Sequence, residues 1–128
     1  MIKILNGIRE TVDYDLFSSI KLYHNMQAED YPLHWHTAME IIMPLKDEYT
    51  VVIDETSHTF GPNDIFIIPP GTLHHLIAPP PEILGERLIM LFDYGLINNV
   101  NGTDSLIQSL HPYALIKHDE YPELSVQL

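Results

Sequence analysis

Four side chains stand out for the chemistry their types and spacing allow. His34, His36 and Glu40 form the pattern H-x-H-x-x-x-E, and His74 follows some forty residues on, after the turn Pro69-Pro70-Gly71. In an extended strand, side chains at even offsets share a face, so positions 34, 36 and 40 can point to one side together. His74 can bring a third imidazole from a different strand. Three imidazoles and a carboxylate that converge while leaving positions open suit Fe(II), Mn(II), Ni(II), Cu(II) or Zn(II). The competing reading is a pair of hydrogen-bonded, metal-free histidines at the mouth of a barrel. Trp35 alternates with the two histidines and belongs on the opposite face, in a packing or anchoring role. His75 alternates away from His74 and is expected at the surface. His24, His58, His111 and His118 lack ligand spacing and read as ordinary surface or loop residues.

The elements that must position this set are short strands. Ser19 to His24 alternates polar and apolar and reads as a half-buried strand. Met39 to Met43 reads as a second strand, broken at Pro44. Tyr49 to Ile53 is a third, followed by a polar turn over Asp54-Glu55-Thr56-Ser57 and a return strand from His58 to Phe60. Gly61-Pro62-Asn63-Asp64 is a turn cluster, Ile65 to Ile68 a buried strand, and His74 to Ile77 another. After the Pro79-Pro80-Pro81 loop, Glu86 to Phe92 is the last strong strand. Turn signals every eight to twelve residues or so predict an all-β sandwich or antiparallel barrel. Within such a barrel, Tyr23, Met43, Tyr49, Ile53, Met90 and Phe92 are candidates to line a ligand pocket, plain core being the other reading. Arg87 alternates with Ile89 and Leu91; a surface salt bridge is expected of it, and an inward turn toward an anionic ligand is the alternative.

Beyond the strands the character changes. Asn98-Asn99-Val100-Asn101-Gly102 reads as a loop. Thr103 or Asp104 can cap a short helix whose Leu106, Ile107 and Leu110 share one face, expected to dock against the barrel. Asp119, Glu120 and Pro122 mark a second helix start, with Leu124 and Leu128 at i and i+4. Pro122 to Leu128 is too short to stand alone as a helix, so Leu128 reads as a cut within or just before a longer one. The segmentation is residues 1–17 as an N-terminal arm, 18–95 as the barrel, and 96–128 as helices opening a linker or dimerisation element.

Composition bounds the function. With 128 residues, 45% hydrophobic and 19% charged, the chain holds one globular domain and one modest core. No apolar run approaches the roughly 18 to 20 residues that cross a bilayer, and the first residues lack a signal-peptide pattern, so a cytoplasmic protein that does not bind membranes is expected. There is no cysteine, which excludes disulfides, thiolate metal sites and thiol nucleophiles. Six Lys and Arg stand against 18 Asp and Glu, a net charge of −12. Such a chain is repelled by the phosphates of nucleic acid and does not bind DNA by itself.

The motifs resemble those of the cupin superfamily, whose first motif centres on H-x-H followed by E and whose second runs G-D, a short apolar strand, P-x-G and H. Here the first is His34-Trp35-His36-Thr37-Ala38-Met39-Glu40 and the second runs from Asn63-Asp64 through Pro69-Pro70-Gly71 to His74. The resemblance implies a double-stranded β-helix (jelly-roll barrel) and a metal set of His34, His36, Glu40 and His74. Asn63 replaces the usual glycine, and asparagine tolerates left-handed backbone better than most residues. The glycine that closes the first motif is replaced by the Lys46-Asp47 region. The wording Tyr31-Pro32-Leu33-His34-Trp35-His36, Glu40-Ile41-Ile42, Ile67 to Gly71 and His118 to Leu124 is similar to the N-terminal domain of AraC-type bacterial transcription regulators. That likeness implies a module binding a small effector, with a sugar as one candidate. It also implies homodimerisation, and control of a helix–turn–helix DNA-binding domain that is not part of this chain. A non-enzymatic sensor is therefore the expectation. A metal-dependent cupin enzyme of dioxygenase or sugar-isomerase type is the alternative.

Overall fold

Alternation of buried and exposed side chains builds two antiparallel sheets that share one apolar interior. The structure is a computed structural model, which describes residues 4–6, 9–12, 20–26, 30–77, 79–80, 82–83, 85–93 and 102–127. The strands are β1 (Ile4–Asn6), β2 (Arg9–Thr11), β3 (Ile20–Asn25), β4 (Tyr31–His34), β5 (Ala38–Lys46), β6 (Tyr49–Ile53), β7 (Thr56–Phe60), β8 (Ile65–Ile68), β9 (His74–Ile77), β10 (Glu86–Asp93) and β11 (Ala114–Ile116). The helices are α1 (Thr103–Leu110) and α2 (Pro122–Gln127). One sheet has the order β11-β8-β5-β10-β3, the other β4-β9-β6-β7, and β1 pairs with β2 as a separate hairpin. The interior takes Ile42, Phe66, Ile68 and Ile89 from the first sheet, and Tyr31, Tyr49, Val51, Ile53, Phe60 and Leu76 from the second. Phe60 stacks on Phe66, and Phe66 on Tyr113, with ring centroids 4.9 and 5.3 Å apart. Burying an aliphatic or aromatic side chain of this kind contributes roughly 1.5–3 kcal/mol, so these ten residues hold the sheets together. This is the all-β jelly-roll barrel with short helices that the motifs imply.

Several boundaries differ from the sequence reading for local reasons. β5 does not stop at Pro44 but runs through it. Opposite Pro44 the register with β10 shifts, Glu86 facing Lys46 and Arg87 facing Pro44, which leaves Leu45 as the extra residue. Proline is tolerated at such an irregularity, and Pro44 still accepts a hydrogen bond from the Asn63 amide at 2.8 Å. The turn between β6 and β7 uses only Asp54 and Glu55, at φ 50° and 64°; Thr56 and Ser57 already belong to β7. Asn63 adopts φ 67°, the left-handed conformation for which asparagine suits that position. The edge strand β11, whose three residues are too few to show a period in the sequence, pairs with β8. Gly102, left-handed at φ 86°, occupies the N-cap of α1, where Thr103 or Asp104 was expected. Of the face expected to dock, Ile107 and Leu110 are half-buried, but Leu106 is exposed. Pro122 does open α2. The loop expected over residues 98–101 and Leu128 lie outside the described residues.

Asp64 ties the turn before β8 to the segment after β11. Its carboxylate accepts hydrogen bonds from the amides of Gly61 and His118 and from Lys117 Nζ, at 2.9, 2.8 and 2.7 Å. Burial alone would raise its pKa from 3.8, but the bonds from Lys117, His118 and Gly61 outweigh it and hold the carboxyl below that value. A depressed carboxylate stabilises the fold above its unfolded pKa, and that stability is lost as pH falls through the lower folded value. Stability should therefore decline as pH drops below about 4. Asp64→Asn should flatten this acid limb and cost about 1–2 kcal/mol at pH 7 in urea unfolding. An unchanged acid limb would show that Asp64 does not set it. The two left-handed residues at the β6–β7 turn give a second expectation. Glu55→Gly should raise stability by about 0.5–1 kcal/mol, because glycine takes φ 64° without a Cβ conflict. A lower melting temperature would mean that the Glu55 side chain supports the turn.

Candidate functional site

His34 and His36 do not share a strand with Glu40, contrary to the simple reading of their spacing. His34 ends β4, His36 lies in the connection, and Glu40 is inside β5 of the other sheet. The chain crosses between sheets over these few residues, and the crossing is what makes the set converge. A register irregularity between Tyr31 and His34 lets both face inward although they are three apart, Tyr31 opposite Leu76 and His34 directly opposite His74. His74 and Leu76 share the inward face of β9, with His75 pointing away and half-buried. Gly71, at φ 81°, turns the chain back so that its amide bonds the carbonyl of His36 at 2.8 Å. That bond fastens the loop carrying His74 to the one carrying His36.

The three rings gather with centroids 4.2 to 5.7 Å apart, and their ligand atoms lie within 4.8 Å of one another. Each ring is oriented the same way. His34 Nδ1 bonds the carbonyl of Pro32 at 2.7 Å, His36 Nδ1 that of Ala38 at 2.9 Å, and His74 Nδ1 that of Thr72 at 2.8 Å. A carbonyl oxygen only accepts, so the proton of each ring sits on Nδ1. In the neutral ring the Nε2 lone pair is then the one aimed at the centre, the arrangement metal-binding histidines use. Glu40 Oε1 lies 2.9 Å from His36 Nε2, a hydrogen bond for which that nitrogen carries a proton that a metal would replace, and 3.4 Å from His74 Nε2. His74 Nε2 is buried and has no hydrogen-bond partner among the described residues. Lone pairs and a carboxylate turned on one another repel unless protons or a cation sit between them. The residues therefore fit a metal ion.

A residue that spacing did not single out joins them. Glu10, on β2, is 3% exposed, and its Oε1 stands 3.5 Å from His34 Nε2 and 3.8 Å from His36 Nε2. Its neighbours Arg9 and Thr11 are exposed, so a run of polar residues hides one inward carboxylate. The only sequence signal was the expectation of an N-terminal arm. Trp35 is half-buried with the Arg9 guanidinium 5.3 Å from its ring centre, consistent with a packing role.

The six residues read as pocket lining divide by strand parity. Residues facing each other across an antiparallel pair share a side. Glu40, Ile42 and Ile89 face the interior, so Met43, opposite Leu88, Met90, opposite Ile41, and Phe92, opposite Met39, lie on the outer side of that sheet. They lie away from the barrel interior, Met43 and Met90 lining a small cavity on that outer face, because one residue's shift in a strand exchanges the two faces. Ile53 is fully packed core, Tyr49 is buried core that also lines an open cavity, and Tyr23 is a partly buried neighbour of the core. Arg87 is not a surface ion-pair residue: it is 2% exposed, donates to Asn25 Oδ1 at 2.9 Å and lies 4.2 Å from the Tyr49 ring centre. Burial lowers its pKa, partly offset by Tyr49 and Tyr31. His58 is half-buried against Tyr113, with centroids 4.2 Å apart, rather than a surface residue. An open cavity of about 630 Å³ lies beside Tyr49, Thr50, Thr59 and Ile77. It sits at the far end of β6 and β9 from His74, and no imidazole lines it.

Two sheets closed around buried histidines define a cupin-type barrel. Residues 17–91 match the AraC-like ligand binding domain, and the chain belongs to that family. Among solved structures it is similar to apo ToxT from Vibrio cholerae at 11% identity and TM-score 0.53, over 87% of this chain and 48% of that one. It is also similar to the SPY1581 protein of unknown function from Streptococcus pyogenes, at 15% identity and TM-score 0.48, over 58% of this chain and 62% of that one. A mutant of Bacillus subtilis oxalate decarboxylase OxdC matches at 23% identity and TM-score 0.46, over 58% of this chain and 20% of that one. The chain thus spans less than two thirds of the length of each. No curated protein sequence matches it. No helix among the described residues is long and apolar enough to cross a membrane.

Proposed function

We propose that this domain senses a small polar effector at a divalent metal held by His34, His36, Glu40 and His74. The observation that carries this reading is the common locking of three Nδ1–H groups onto backbone carbonyls, which leaves three Nε2 atoms facing one buried point. An oxygen-bearing metabolite, a sugar or a carboxylate, is the class of effector that such a centre orients. Occupancy acts by population shift: the effector must bind one arrangement of barrel, N-terminal segment and helices better than another, since equal affinity shifts nothing. DNA is reached through a helix–turn–helix domain in a homodimer, because a chain of net charge −12 does not approach phosphates itself.

Metal binding is read by stability. Mn(II), Fe(II), Ni(II) or Zn(II) at about 100 times its Kd should stabilise the protein by about 2.7 kcal/mol, several degrees in Tm, reversed by a chelator. His74→Ala should abolish the shift. A wild-type protein whose Tm ignores all four ions would overturn the metal. For the effector, sugars, polyols and small carboxylates screened against the metal-loaded protein should include one that raises Tm further. Complete indifference to these classes would count against sensing at this site.

The full set of three histidines and a glutamate also favours a second reading, a metal-dependent enzyme of the cupin type. Steady turnover of a bound compound, lost in His36→Ala, would decide for it over sensing.

A further inference from the structure

The hairpin β1–β2 presents a single carboxylate to the histidine cluster. Glu10 alone of its strand is buried, and its Oε1 approaches His34 and His36 from the side opposite in sequence to Glu40. The backbone holds it there: the Glu10 amide donates to the Trp35 carbonyl at 2.7 Å, Arg9 bridges to Trp35 as a parallel pair, and the Arg9 guanidinium lies over the Trp35 ring. Two carboxylates, Glu10 and Glu40, therefore converge on the same imidazoles in a space sealed from water. Like charges brought together out of water repel, and a divalent cation offsets both.

We infer that Glu10 is a further metal ligand, supplied by the N-terminal hairpin, so that a divalent transition metal staples the hairpin to the barrel. The inference rests on the metal reading given under Proposed function. With His34, His36, His74 and Glu40 the site offers three nitrogens and one carboxylate, and a divalent ion leaves it with a net positive charge. Glu10 brings that charge to zero and fills a place that an external oxygen donor would otherwise take. A small carboxylate is the class of ligand able to compete for that place, since it offers the same donor atom and charge. The backbone bond to Trp35 and the Arg9–Trp35 contact dock β2 on the barrel, and the metal would add a further tie at Glu10.

The test uses the whole chain and the metal alone. Zn(II) affinity by chelator competition should fall about tenfold or more in Glu10→Gln, with a changed visible spectrum of the Co(II)-loaded protein. Hydrogen exchange of the Glu10 amide should slow on Zn(II) addition in the wild type but not in Glu10→Gln. Because glutamine keeps the shape, folding is expected to survive, and Glu10→Asp, which retains the carboxylate, should restore part of the affinity. Equal Zn(II) affinity and superimposable Co(II) spectra for wild type and Glu10→Gln would overturn the inference while leaving the four-residue site intact, provided His74→Ala still loses binding. A wild-type protein that binds neither ion would instead sink the metal reading on which it rests.

Discussion

The structure depends on one constraint: ionisable groups gathered at a point that water does not reach. His34, His36, His74 and Glu40 are all at most 1% exposed. Groups of this kind are costly to bury unless each polar atom is matched, and a half-matched set is worse than an apolar core. Here the matching begins in the backbone. Each imidazole is locked by a carbonyl only two residues away in the chain, so ring orientation is settled locally. What remains is a set of inward Nε2 atoms around the Glu40 carboxylate, which a cation could bind together. The same arrangement that would make an empty centre unfavourable makes a filled one strong.

The barrel is shaped to deliver that set. β4 and β9 bring His34 and His74 into direct register, and the connection to β5 carries His36 across to Glu40 on the other sheet. The irregularity between Tyr31 and His34 makes the parity work, since its extra residue lets side chains three apart share the inward face. The Gly71–His36 hydrogen bond then closes the two ligand loops upon each other. Away from the site the interior is filled by Phe60, Phe66, Tyr49 and the aliphatic residues around them.

Function in this family context follows from where the polar centre is and what reaches it. The hairpin β1–β2, bonded to the barrel through Trp35, places a carboxylate on the histidines. Under the sensing reading, a ligand of similar chemistry would compete with that carboxylate, and the bound state would then differ from the unbound one in the arrangement of the chain.

The residues at the centre were legible from the sequence because local chemistry marks them. H-x-H, a following glutamate, and a histidine after Pro-Pro-Gly name the set whatever the fold does around it. Asn63 at a left-handed turn, the strand Tyr49–Ile53 and the start of α2 at Pro122 were legible for the same reason, since each rests on contacts between near neighbours. Other features came only with tertiary structure. Met43, Met90 and Phe92 fall outside the barrel because the pairing register of β5 with β10 decides which parity faces inward, and no single strand carries that information. Arg87 reads as a surface cation until the fold buries it beside Asn25 and Tyr49. Glu10 reads as one more solvated acid in an acidic chain until the hairpin turns it toward His34. Sequence marked which groups gather at the centre, through the short-range rules of side chains and turns. Register and burial, which are long-range, decided what surrounds them and what else reaches in.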